Sequence, residues 1–529
     1  MPWVAGLLLA APVLVLRYPP MTDLPHHEGM VAVLRHLHDP AWFPPGLYVI
    51  NLIRANQLFE LLALALSYPL GVALACKAVV AGTLVATIVA AARLAAHFGA
   101  TRWVALAIAP IALGWGFYWG FVANTLGVAI LLAVLPVLDR AAERGTWRHA
   151  CLATVVLVLL LLAHATSLLA GSGALLVFAL ARGVDRKTPW RLAPVAAAAL
   201  LTHLETRVEE AQLTPLTRFF ASRPLWIPVA DKLADITKNL FGHVSGGPQG
   251  ALALLLLGLL VAGAIVRWRG VAPSRTPGRT GLRGRVFEHR LPLVAAGLML
   301  AYLVAPYSIN FGAFLYVRFL APAAALALIA AAPRAGATPR LYALASAVAP
   351  LGTLLVAAPN LAEASAQSRA VDALLPRIEM SSAVAVLHFG GFRSETAFIV
   401  ASAGNRALPE RGGRLLFSFT EFPNAAVRIP AEYRWDVTLG RVYWDAGTFM
   451  PAWDFQRIGY VLMHVADPTL GAAITLAMAP EGELVASEDE WLLFRASRPP
   501  LPLTSPDAPL PRPAPDRLDD RLRRLLAPP

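Results

Sequence analysis

Cysteine is nearly absent from this sequence: Cys76 and Cys151 are the only two, both within or beside apolar runs. Two distant cysteines exclude a disulfide framework and supply none of the spacings that hold zinc. Charge is also scarce, at 15% of residues, while 57% are hydrophobic and the mean hydropathy is +0.59. An ordinary soluble chain of 529 residues cannot hide that much apolar surface. Repeated apolar runs of roughly 17–25 residues are what a bilayer core of about 30 Å demands, so the fold class is an α-helical polytopic membrane protein. The formal charge of +12 would raise the question of nucleic acid. Most of it lies in short loops between apolar runs, which is a signal of membrane orientation, so no nucleic-acid partner is expected. The first run, 3–16, lacks a basic flank before it and a small-residue cleavage site after it, so it reads as a retained span. No internal repeat is evident.

What is present is a series of apolar runs. After 3–16 they fall at 70–92, 103–119, 125–138, 150–166, 168–181, 191–204, 249–266, 291–306, 318–332 and 341–358, about eleven spans in all. Alternate loops test the order. The expected inner loops 93–102, 139–149, 182–191, 267–290 and 334–340 hold 18 Lys and Arg against four Asp and Glu. The expected outer segments 17–69 and 203–248 hold eight basic and nine acidic residues. This places the first loop and the C-terminal part outside the membrane, on the extracytoplasmic side. Segment 56–67 is too short to span and is read as an interfacial or re-entrant helix with Arg54 and Glu60 towards the headgroups. The domains expected are a membrane domain over 1–359, a small extracytoplasmic α/β domain over 360–497, where apolar runs shorten to strand length, and a Pro-rich, loosely attached tail over 498–529. High Ala, Arg and Pro usage suits a bacterial inner-membrane protein.

The chain is organised around 17–48, RYPPMTDLPHHEGMVAVLRHLHDPAWFPPGLY, which concentrates Asp23, Glu28 and Asp39 with His26, His27, His36 and His38. Ionisable groups held beside a membrane are a default functional-site hypothesis. The pairs Pro19-Pro20 and Pro44-Pro45 prevent one continuous helix through the segment. A membrane enzyme moving a sugar from a polyprenyl phosphate needs a carboxylate to deprotonate an acceptor hydroxyl, cations or a metal to neutralise the leaving phosphate, and a groove for the lipid. Asp23, just past the first span and followed by Pro25, is the candidate base. His26 or His27 could orient it, bind phosphate or ligate a metal. Glu28 reaches the same site only if the backbone folds back. The bland reading is a solvated loop in which Asp23 merely caps a helix.

Other candidates lie at the same face. Trp115, Tyr118 and Trp119 form either an aromatic belt or a platform for a sugar or isoprenoid. His164 is a packing histidine or a site residue, and Glu205 belongs to a solvated helical face or to a second wall of the site. Tyr307, Asn310 and Arg318 sit at the outer boundary, where Arg318 is an interfacial anchor or a phosphate ligand, since a guanidinium matches phosphate in a bidentate way. Asp436, Asp445, Asp454, His464 and Asp467 have no motif spacing and are assigned no chemistry. A divalent metal ion is possible but no cofactor is required, and oligomeric state is left open.

The succession of a first span, an acidic loop with DLPHH, WFPPGLY, a short apolar helix, a long span and the basic turn RLAAHFG resembles the N-terminal half of GT-C class membrane glycosyltransferases. The likeness covers 1–360 in architecture and 17–102 in motif. It implies a multi-span body that binds a polyprenyl-phosphate sugar donor, with a domain outside the membrane after the last span. It also implies Asp23 as the catalytic carboxylate, His26 as the histidine that often follows it, and Pro44, Pro45 and Tyr48 as the juxtamembrane motif. Gly46 stands where that motif usually has Leu, and no adjacent acidic pair occurs, so the second carboxylate is unassigned between Glu28 and Glu205. The competing classes are a transporter or flippase for lipid-linked sugars, which would favour polar breaks at the bilayer midplane, and a non-catalytic membrane scaffold.

Overall fold

The computed structural model describes residues 1–212, 224–242, 247–269, 286–309, 312–389, 402–434, 442–443, 445–504 and 516–526. The chain enters through α1 (Pro2–Val15), whose C-terminal carbonyls need donors. Lys77 supplies them, giving its Nζ protons to the carbonyls of Leu14 at 3.3 Å and Leu16 at 3.0 Å. The first loop then forms α2 (Leu24–His36), a two-residue strand β1 (Val49–Ile50) and α3 (Leu58–Leu70). At Gly71, with φ +78°, the chain turns directly into α4 (Val72–His97).

Four described helices are long and apolar enough to cross a membrane: α4, Val122–Arg144, Gly247–Arg269 and Arg340–Arg377. Shorter apolar helices, among them Trp147–Ala163, Ala165–Ala181 and Arg290–Val304, lie in the same helical body. The expected span 103–119 is instead broken. It runs as a 3-10 stretch Arg102–Ile108, then the single turns Ala109–Ala112 and Trp115–Tyr118, interrupted at Pro110 and Gly114. At the other end of the body Asp139 is 2% exposed and draws four elements together. It accepts hydrogen bonds from Arg182 at 3.0 Å and from Arg290 Nε at 2.9 Å, and it bonds His97 Nε2 at 2.9 Å.

The helix Arg340–Leu374 continues without a break past position 360, so the second domain grows out of a membrane helix rather than from a linker. That domain carries a five-stranded sheet in the order β3-β2-β5-β7-β6, formed by Arg414–Leu415, Ala383–Phe389, Tyr460–Val465, Trp491–Ala496 and Gly482–Glu488. Strand β2 is parallel to β3 and β5, while β5, β7 and β6 are antiparallel. The expected α/β class holds. The tail is not loose where it is described: helix Leu518–Leu526 buries Leu518 and Leu522 against the domain. Arg521 there donates to the Glu481 carboxylate at 2.8 Å and to the Ala477 carbonyl at 2.9 Å.

The first loop is packed between the two domains. β1 pairs antiparallel with β4 (Val427–Arg428), Val49 facing Arg428. Met30, Val33, Phe43, Leu47 and Tyr48 share one core with Val384, Val386, Leu462 and Trp491 of the sheet. Arg54 and Glu60 are both buried, against the expectation that they point to headgroups. Arg54 has found Glu205 and Glu60 has found His27, and these partners offset the cost of leaving water.

Candidate active site

Asp23 is the residue before the first turn of α2, half-buried, and its side chain makes no capping bond to its own helix. Its position is set from outside. The backbone N–H groups of Thr22 and Asp23 donate to the carbonyls of Tyr118 at 2.9 Å and Trp119 at 3.0 Å. This close approach requires Gly120, which has φ +72° and on which a Cβ would lie 2.6 Å from Asp23 N. The aromatic segment expected to be a platform is therefore first of all the seat of α2. Burial pushes the Asp23 carboxyl up to about 7, with His27 and Arg318 nearby pulling it back down.

His27 follows one helical turn later, its N–H donating to the Asp23 carbonyl at 3.3 Å. Its Nδ1–H donates to Glu60 Oε1 of α3 at 2.5 Å, and the edges of Phe59 and Phe419 hold the ring. His26 turns the other way. It is 3% exposed, stacks on Phe419 at 4.6 Å and accepts from Asn405 Nδ2 at Nε2, 3.1 Å away. Burial and the neighbouring His27 lower its basicity to about 3, which leaves it neutral. Glu28 is buried too, pushed up to about 7 by desolvation, and faces Arg406 at 3.8 Å. Arg406 in turn lies over the ring of Tyr18. His26 and Glu28, expected as catalytic groups, are thus oriented to the second domain, because that is where their hydrogen-bonding and charged partners lie.

Arg318 comes to Asp23 from the start of helix Leu320–Ala331. Its Nη1 donates to His164 Nε2 at 2.6 Å, Nη2 donates to the Ala313 carbonyl at 3.2 Å, and the guanidinium rests 4.3 Å from the Phe121 centroid. On the other side of the ring His164 Nδ1 accepts from the Thr166 backbone N–H at 3.2 Å and lies 2.7 Å from Thr166 Oγ1; Asn124 donates to the same hydroxyl at 3.0 Å. Beside Arg318 lies a narrow cavity of about 50 Å³, lined among others by Thr83, Thr87, Trp115, Asn124 and Asn239.

The remaining expected residues are engaged in packing. Tyr48 is 4% exposed and donates its hydroxyl proton to the Gly413 carbonyl at 2.9 Å. Tyr118 is fully buried and Trp115 nearly so; Trp115 and Trp119 pack with Phe121 and Phe314. Both Glu205 oxygens accept from Arg54 Nε at 3.0 Å, which ties the first loop to helix Thr188–Ala211 rather than forming a second wall. Asn310 and Asp436 lie outside the described residues. The residues brought to Asp23 are His27, Trp119, Arg318 and Tyr443, with His164 behind Arg318. Reading the sequence missed Glu60, which was placed at the headgroups, and Asn405 and Tyr443 of the second domain. Tyr443 stacks on Phe417 at 4.5 Å, and Phe417 meets His26 edge-on at 5.6 Å. No sequence spacing signals these three, since each contact is long-range.

Among the described residues no three His, Cys, Asp or Glu side chains converge as a metal site.

No family model matches the chain, and comparison with curated proteins gives no match. Among solved structures, ArnT from Cupriavidus metallidurans in the apo state aligns over 93% of this chain and 96% of its own, with a TM-score of 0.50 at 13% identity. The same protein bound to undecaprenyl phosphate aligns over the same shares with a TM-score of 0.46 at 12% identity. At such identities the likeness to the apo structure is one of fold. This chain of apolar helices shares the fold of ArnT.

Proposed function

We propose that the protein is an integral membrane glycosyltransferase that moves a sugar from a polyprenyl-phosphate-linked donor to a lipid, glycan or protein acceptor on the extracytoplasmic face. The observation that carries this reading is the placement of Asp23, half-buried between His27 and Arg318, in the loop where the GT-C resemblance expects a catalytic carboxylate. The distribution of basic loops supports the face of action.

In this reading Asp23 is the general base. Its carboxylate takes the proton of the acceptor hydroxyl while that oxygen forms a bond to the anomeric carbon. The bond from the anomeric carbon to the phosphate oxygen breaks on the opposite side, its electron pair leaves with the polyprenyl phosphate, and configuration inverts. A carboxyl pushed up to about 7 is suited to accept a proton near neutral pH. Arg318 neutralises the leaving phosphate. Its Nη1 is held by His164, while Nε is buried with no hydrogen-bond partner among the described residues, leaving a donor for a phosphate oxygen. No step passes through a metal.

The test is transfer of labelled sugar from polyprenyl-phosphate donors by the protein in proteoliposomes. Wild type transfers, and Asp23→Asn binds donor without transferring. Normal turnover by Asp23→Asn refutes the role of Asp23, and failure of folded wild type to bind polyprenyl phosphate refutes the reading.

A further inference from the structure

We propose that Glu60 is a positioning residue of the site, acting through His27: the α3 carboxylate fixes and polarises the imidazole that faces Asp23. The catalytic consequence rests on the sugar-transfer reading above; the coupling of the three side chains does not.

Asp23 and His27 are separated by one turn of α2 and joined by the backbone bond of 3.3 Å, so their side chains share a face of that helix. Glu60 meets His27 from α3 with a contact of 2.5 Å. Glu60 is 1% exposed and its Oε2 has no hydrogen-bond partner among the described residues, so His27 is its hydrogen-bonding partner there. Phe59 precedes Glu60 on α3 and, with Phe419 of the second domain, fixes the plane of the ring at centroid distances of 5.4 and 5.2 Å. A buried carboxylate that accepts from an imidazole N–H strengthens the positive character of the ring towards its other neighbours. The groups acting on Asp23 are His27 on its own helix and Arg318 from the membrane body. His27 in turn acts on Asp23, His26 and Glu28. Apolar side chains would tie α2 to α3 at a lower desolvation cost. A polarised imidazole next to a half-buried carboxylate also supplies a field that opposes the upward push of burial on Asp23.

Glu60→Gln keeps the shape and lets an amide oxygen accept from His27 Nδ1–H, while removing the charge. The protonation of Asp23 is followed by isotope-edited infrared titration of the carboxyl band that Asp23→Asn abolishes, together with the pH profile of transfer. The expected result is that in Glu60→Gln the Asp23 titration midpoint and the acidic limb of transfer both move up by about one pH unit. The rate on the alkaline plateau stays within about twofold of wild type. His27→Gln is expected to show the same midpoint, and the double variant no further shift. It also serves as the decisive variant if Glu60→Gln does not fold. A midpoint that stays put or moves down overturns the proposal, as does a rate that falls equally at every pH. If the midpoint moves up but wild type transfers no sugar, the coupling stands and the sugar-transfer reading fails.

Discussion

Arg318 donates to Nε2 of His164 at 2.6 Å across 154 residues of chain, and Nδ1 of the same imidazole accepts from the Thr166 backbone N–H at 3.2 Å. The cation proposed above for the phosphate is thereby held in one direction. Arg318→Ala is expected to weaken polyprenyl phosphate binding by about a hundredfold, and His164→Ala by about tenfold through loss of orientation. Equilibrium binding to detergent-solubilised protein checks both, and equal affinities in all three proteins would remove Arg318 from the phosphate site.

Asp23→Asn separates chemistry from stability. Burial outweighs the pull of His27 and Arg318, so the folded-state carboxyl titrates near 7 instead of 3.8. For a carboxyl raised on folding, the folded state holds the proton more tightly. Its contribution is therefore most favourable below the unfolded value and is lost as pH rises through about 7. Above pH 7 the neutral amide is expected to raise thermal stability, by about 1–2 kcal/mol, while transfer is abolished. Thermal melts at pH 5 and pH 8 check the sign, since the gain should be larger at the higher pH.

Gly120→Ala tests the seat of α2. The added methyl would lie 2.6 Å from Asp23 N at a φ of +72°. The expected outcome is a turnover at least about tenfold lower, with donor binding retained, because a displacement of about 1 Å at a reacting group costs more than that. Unchanged turnover would show that Asp23 does not need this contact.

Tyr48→Phe is expected to leave transfer unchanged and to cost about 1 kcal/mol, the effect of an unpaired Gly413 carbonyl. Faster proteolysis between the domains is the measurement. A large rise in KM instead would restore Tyr48 to the substrate site.

Asp139→Asn is expected to destabilise the helical body by about 3 kcal/mol, because Arg182 and Arg290 stay buried after losing their shared counter-charge. Detergent melts should show it, with donor affinity unchanged per folded molecule.

Much of the fold was legible before any coordinates. Breaks in the apolar pattern and the two Pro pairs placed α2, α3 and α4 in order, and Asp23 stood out as the carboxylate next to a span. The run 103–119 was misread because hydropathy does not register Pro110 and Gly114, which divide it into single turns. Glu60 was misplaced because a short apolar helix with one acid looks the same whether the acid faces headgroups or a buried histidine.

By itself, the sequence determined that this is a membrane protein of helices with an α/β appendage. Hydrocarbon leaves backbone groups no partner but their own neighbours, so a long apolar run becomes a helix wherever it sits. Which first-loop residues face a substrate was decided only by tertiary structure. His26 and Tyr48 are claimed by Asn405 and Gly413, 379 and 365 residues away, and Glu205 by Arg54, 151 residues away. A polar side chain leaves water only for a partner, and here those partners are supplied by parts of the chain that no local spacing connects.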